Sequence, residues 1–204
     1  EFLQFAKEGV WHIWIGYDHI LFLLSLLLPA VLCWQSGRWQ PQRSFRVTLW
    51  EVLKIVTAFT LAHSITLSLA VMGLVSLPSQ WVESAIAASV LIAALHNLYP
   101  VIHTRLWIMT FIFGLVHGVG FASVLIDLGL PSQSLALALA GFNLGVEIGQ
   151  VIIVCVFIPV AFLIRHSWSY QRLVLNFGSM AIALIALVWL MERSLDVKIG
   201  IGIS

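Results

Sequence analysis

The chain has 204 residues, of which 61% are hydrophobic and 9% charged, with a formal net charge of +1. Soluble domains carry about 25% charged residues, so this composition, with a mean hydropathy of +1.03, excludes an ordinary soluble domain and indicates an integral membrane protein. The absence of a basic stripe excludes a nucleic-acid partner, and two cysteines inside apolar segments, Cys33 and Cys155, give no disulfide framework.

A membrane helix needs about 20 apolar residues. Six segments satisfy this, at about 10–34, 49–73, 81–99, 106–126, 135–164 and 172–191, joined by short loops. Because the backbone must satisfy its own hydrogen bonds in lipid, the expected fold is all-α, a single bundle of six transmembrane helices over residues 1–204. Arg38, Arg43, Arg46, Arg105, Arg165 and Arg172 fall on one side, with Lys54 just inside the second helix; Lys7, Arg193 and Lys198 fall on the other. The bias places both termini outside, on the periplasmic side of an inner membrane. Trp11, Trp81 and Trp189 mark the outer interface, and Trp34, Trp39, Trp50, Trp107 and Trp168 the inner one. The chain opens on Glu1 with no visible signal peptide, which is expected of a processed product or a fragment with an N-terminal part ahead of it. "LPSQ" occurs at Leu77–Gln80 and again at Leu130–Gln133, 14 and 13 residues after His63 and His117, the trace expected of two related hairpins.

The first segment, "VWHIWIGYDHILFLLSLLLPA", puts His12, Asp18 and His19 into an apolar run. At 1.5 Å rise per residue, Asp18 and His19 lie roughly 12–14 Å below the outer end of their helix, His63 ~15 Å, His117 ~14 Å and Glu147 ~18 Å. Four helices thus carry ionisable groups to a similar depth, while the sixth carries none. A charge at mid-bilayer costs about 2.5–3.5 kcal/mol even on the lenient insertion scale, so these groups must face the bundle interior and pair with one another or bind something. His12 and His19, seven apart, share a helix face. Asn143, Glu147 and Gln150 form a polar stripe, and glycines at 141, 145 and 149, and at 114, 118 and 120, permit close helix approach.

Histidines and carboxylates form a nitrogen–oxygen donor set suited to Zn, Ni, Fe or Mn and not to Cu(I). The candidate metal ligands are His12, Asp18, His19, His63, His117 and Glu147, with Ni or Zn as the expected ion. Glu83, Ser64, Asn143 and Gln150 are candidates for supporting or access roles. His96, His103 and His166 lie at the inner end or in loops, outside this set. Asn97 and Asn143 are expected to hydrogen-bond between helices.

At these residues the chain resembles the HupE/UreJ family of membrane proteins, whose first helix carries His, five residues, then Asp-His; here "HIWIGYDH" places His12, Asp18 and His19 in register. The segments "FTLAHSITLSLA", "FGLVHGVGFASVL" and "FNLGVEIGQ" resemble the branch that often has a soluble periplasmic domain ahead of the bundle. The resemblance implies a nickel-type divalent-metal permease, a metal-ion substrate, and such a periplasmic domain or metalloenzyme-maturation proteins as partners. Nickel permeases of the family carry two His-Gly pairs in a later helix, of which His117-Gly118 matches one. Two other readings of the same residues stand beside it: an intramembrane zinc-dependent hydrolase with Asp18 or Glu147 as general base, and a structural or sensory subunit in which the cluster serves as hydrogen-bonding glue. A polar cavity continuing inward past Gln150 separates a permease from an enzyme.

Overall fold

The structure, a computed structural model, describes residues 2–101, 105–127 and 132–197. His103, Lys198 and the first two residues of the second LPSQ (130–131) lie outside them. The chain order is α1 (Phe2–Ile15), α2 (Tyr17–Leu27), β1 (Leu32–Gln35), β2 (Arg38–Pro41), α3 (Phe45–Val71), α4 (Ser79–Leu98), α5 (Leu106–Gly120), α6 (Ala122–Asp127), α7 (Ser132–Ile164), a π-helical segment (Ser169–Phe177) and α8 (Gly178–Leu195).

Four stretches are long and apolar enough to cross a bilayer as continuous helices: 45–71, 79–98, 134–164 and 169–195. The first predicted span is instead two helices, α1 and α2, bent by 71° at Gly16; taken as one span they make a fifth. The fourth predicted span is the 15-residue α5, which stops at Gly120 and restarts as α6.

The first span was expected to run to residue 34 as helix. It ends at Leu27, just before Pro29, and the polypeptide then forms an antiparallel hairpin pairing Cys33 with Gln40 and Trp34 with Trp39. Ser36 and Gly37 both have positive φ, 52° and 74°, the two-residue turn that matches the twist of a hairpin. Cys33 therefore lies on a strand rather than within a helix.

Helices associate chiefly as three pairs, α3 with α5, α1 with α7, and α4 with α8. Small residues set the first two. A methyl group on Gly145 would run into the Ala6 carbonyl, and one on Gly118 would run into the His63 carbonyl and Thr66 Oγ1; such close backbone approach substitutes for a hydrophobic driving force in lipid. α1 runs parallel to α7, with Phe2 against Gly141 and Val10 against Gly149. The end of α8 returns to the start of α4, where Gln80 Nε2 donates to the Ser194 carbonyl at 3.1 Å. One end of the bundle thus holds the starts of α1, α4 and α7 and the end of α8; the other holds the hairpin. Asn97, as expected, ties helices together near the hairpin end: its Nδ2 donates to the Ser25 carbonyl (2.6 Å) and to Ser179 Oγ (3.1 Å), and its carbonyl accepts from Trp39 Nε1 (2.9 Å).

The apolar interior falls into two clusters. The larger, around Phe22, Phe59, Val154 and Ile158, fills the hairpin half. The smaller, around Ile13, Leu67, Phe142 and Val146, fills the opposite half. The histidines lie where they meet.

Candidate metal centre

The centre is built on the break at Gly16. In a continuous helix seven residues rise about 10.5 Å, yet the rings of His12 and His19 have centroids 4.4 Å apart. The shared face expected for these residues comes from the bend, not from helical periodicity. Glycine is required there because a Cβ would stand 2.7 Å from the His12 carbonyl and 2.9 Å from His19 Nδ1. His12 thus ends α1, while Asp18 and His19 open α2, where an acidic residue in the first turn also suits the helix dipole.

Asp18 turns toward its neighbour. Its Oδ1 accepts from the His19 backbone N–H and faces His19 Nδ1, both at 2.9 Å. With Nδ1–H given to the carboxylate, Nε2 carries the free lone pair, the arrangement by which a carboxylate orients a metal-binding imidazole. His63, on α3, is arranged alike: Asn143 Nδ2 donates to the Leu139 carbonyl (2.9 Å), which directs its Oδ1 toward His63 Nδ1 at 3.4 Å. The Nε2 atoms of His12, His19 and His63 are all buried and without a hydrogen-bond partner. One ligand atom from each of the three lies within 4.8 Å of the others. An unmatched buried polar atom costs about 1–3 kcal/mol, so three in one place fit a shared metal ion.

The other candidates stand around this trio. The His117 ring is 5.1 Å from that of His19, centroid to centroid. Ser89 Oγ donates to the Ile86 carbonyl at 2.7 Å and faces His117 Nε2 at 2.8 Å; its single proton being used, it accepts from Nε2–H, which leaves His117 Nδ1 as a second kind of bare, buried nitrogen. Glu147 is not brought into the trio: it accepts a 2.9 Å bond from Thr57 Oγ1. Gln150 accepts from Thr60 Oγ1 at 3.0 Å. Ser64 is spent on the Thr60 carbonyl within its own helix. Glu83 is exposed in the second turn of α4, its backbone carbonyl taking a bond from Arg193.

Aromatic rings close the centre on two sides. Phe121 and Phe142 stack at 4.6 Å, and Phe121 lies 4.2 Å from His12. Phe22 and Phe59 lie on the hairpin side, each with its centroid 5.2 Å from that of His117. The sequence reading passed over Gly16, Ser89 and these rings. A glycine four residues from one histidine and three from the next was the available signal; the rings had none, since phenylalanine is ordinary in an apolar helix.

These features define a helical membrane protein of several spans with a histidine cluster buried at a helix break. Its family follows from comparison: the model of the HupE / UreJ protein family matches residues 1–193, and the chain belongs to that family. No curated protein and no solved structure matches it.

Proposed function

We propose that this chain is a divalent transition-metal permease of the nickel type, and that His12, His19 and His63 form its transport site. The family is associated with nickel/cobalt transport. The observation that carries the reading is the trio of unpartnered, buried Nε2 atoms, two of them on imidazoles oriented through Nδ1. Three neutral imidazoles suit Ni or Zn. His117 Nδ1 is a further nitrogen donor, Asp18 a charge-compensating orienting group, and Glu147 a polar station one turn from Asn143. In this reading the chain crosses the inner membrane six times, α1–α2 and α5–α6 serving as broken spans. The arginine-rich hairpin end faces the cytoplasm and both termini face the periplasm. Broken helices that meet at a buried site are a recurring device of transporters.

A second reading rests on the same trio, because three histidines with an open position are also the donor set of a hydrolytic zinc centre. The test begins with protein purified in detergent, its bound metal measured by elemental mass spectrometry alongside His19→Ala. Metal uptake into proteoliposomes loaded with a metal-sensitive dye follows. Stoichiometric Ni or Zn lost in the variant, with uptake by the wild type, supports the permease; binding without uptake moves the case to the hydrolase; no metal in folded protein, with no uptake, refutes both.

A further inference from the structure

The polar stripe of α7, along which an inward path past Gln150 was expected of a permease, does not continue toward the hairpin. Beyond Gln150 its inward-facing residues are Val154 and Ile158, both fully buried in the larger apolar cluster. The histidine-bearing helices offer another direction. On α2, His19 is followed about one turn on by Phe22 and, after another turn, by Leu26. On α3, which runs the opposite way, His63 is preceded one turn earlier by Phe59 and then by Ile55. On α5, His117 is preceded by Phe113. The Phe22 ring lies 5.3 Å from that of Phe59 and 5.8 Å from that of Phe113.

Leu26 and Ile55 line a cavity of about 450 Å³ at the hairpin end. On α2 and α3 the rings of Phe22 and Phe59 thus fall between the cavity-lining Leu26 and Ile55 and the histidines, with the Phe113 ring beside Phe22. Thr48, 1% exposed, also lines it, and its Oγ1 has no hydrogen-bond partner.

We propose that the metal leaves the histidine site between α2, α3 and α5, across the Phe22–Phe59–Phe113 layer, and is released into this cavity. The proposal deepens the permease reading and rests on it. The charges of the two ends agree with it. The charged residues of the cavity lining are Lys54 and Arg105 against Glu51, with His96 and Cys33 as further donors beside them, a net positive balance that works against retaining a divalent cation. A smaller cavity of about 270 Å³ at the other end, beside the Phe121 break, has Glu83 as the charged residue of its lining. Fixed charges of this kind speed capture at one end and release at the other, while the direction of net flux follows the gradient. The aromatic layer is the barrier between them, an apolar constriction that excludes hydrated ions until its rings part.

Thiol accessibility tests the route without depending on transport. Cys33 lines the cavity and, in a Cys155→Ser background, should react from the hairpin side with a membrane-impermeant methanethiosulfonate. With Cys33→Ser and Cys155→Ser in place, a cysteine introduced by His63→Cys should resist the reagent from that side. It should react about tenfold faster or more once Phe22→Ala and Phe59→Ala are added, as expected when an apolar constriction is removed. Fast reaction with both rings intact, or no acceleration without them, overturns the proposal. The second measurement keeps the histidines intact. Phe59→Ala should raise Ni²⁺ or Zn²⁺ flux into dye-loaded proteoliposomes, and Phe59→Leu should keep it at the wild-type level. Equal flux in wild type and Phe59→Ala overturns the barrier and leaves the permease standing. Metal bound but never moved, in any variant, overturns the permease, and the thiol rates still decide the barrier.

Discussion

Asp18→Asn separates an orienting residue from a ligand. Asp18 Oδ1 makes two contacts with its neighbour, to the His19 backbone N–H and to its Nδ1, both at 2.9 Å. Asparagine keeps the shape and an acceptor oxygen but loses the charge. Charge-assisted hydrogen bonds are roughly twice as strong as neutral ones, and removing an outer-shell partner typically weakens metal affinity 10–100-fold. The expected loss is therefore about 1.4–2.7 kcal/mol of binding free energy, with one metal still bound at saturation. Isothermal titration of the purified, metal-free protein with Ni²⁺ or Zn²⁺ measures it, alongside His19→Ala, which should abolish the site. Complete loss of metal in a folded Asp18→Asn protein would show that Asp18 is itself a ligand. Unchanged affinity would show that the carboxylate does not orient His19. Either result refutes the arrangement drawn here.

His12→Ala and His63→Ala should each abolish stoichiometric binding in the same titration, whereas His117→Ala should weaken it and leave it measurable. Gly16→Ala retains every donor but brings a methyl group against the His12 carbonyl and His19 Nδ1; it should lower affinity about 10–100-fold, like loss of an orienting group, with helix content by circular dichroism unchanged. Gly145→Val wedges α1 away from α7 at the Ala6 carbonyl and should cost about 1–3 kcal/mol of stability, read as a lower unfolding midpoint in detergent. Asn97→Ala leaves buried polar groups of Ser25 and Ser179 without its donors and should also cost about 1–3 kcal/mol, with metal binding intact.

Much of this site was legible because lipid makes ionisable residues expensive. His12, His19, His63 and His117 stood out against an apolar background, and rise along a helix placed them at one depth. The roles within the set were not legible. Depth does not give rotation about a helix axis, so it did not show that Glu147 meets Thr57 or that Asp18 faces Nδ1 of the next residue. The break at Gly16 was hidden because hydropathy is blind to a bend: both arms are apolar, and one glycine is common in membrane helices. The hairpin was hidden for a related reason. The apolar run through Cys33 and Trp34 continues past Pro29, and the Ser36–Gly37 turn lies just beyond its end among arginines that were read only for the orientation of the chain.

The spacing of the trio bears on whether a resident or a passing ion belongs there. In a tetrahedral zinc site with bonds of 2.0–2.1 Å, neighbouring nitrogens are about 3.4 Å apart, and here the three donor atoms lie within 4.8 Å of one another. An ion held at that spacing would tie the three donors together. His12 is on α1, packed against α7, and His63 is on α3, packed against α5, so the ion would link one helix pair to the other. A site whose donors come from two packed units is coupled to the fold around it, as alternating access requires. X-ray absorption at the zinc edge of the loaded protein tests this linkage. Three imidazole nitrogens at about 2.0–2.1 Å are expected. One or two imidazoles, with water making up the shell, would mean that the trio does not close, and the coupling of the ion to the two helix pairs would fall with it.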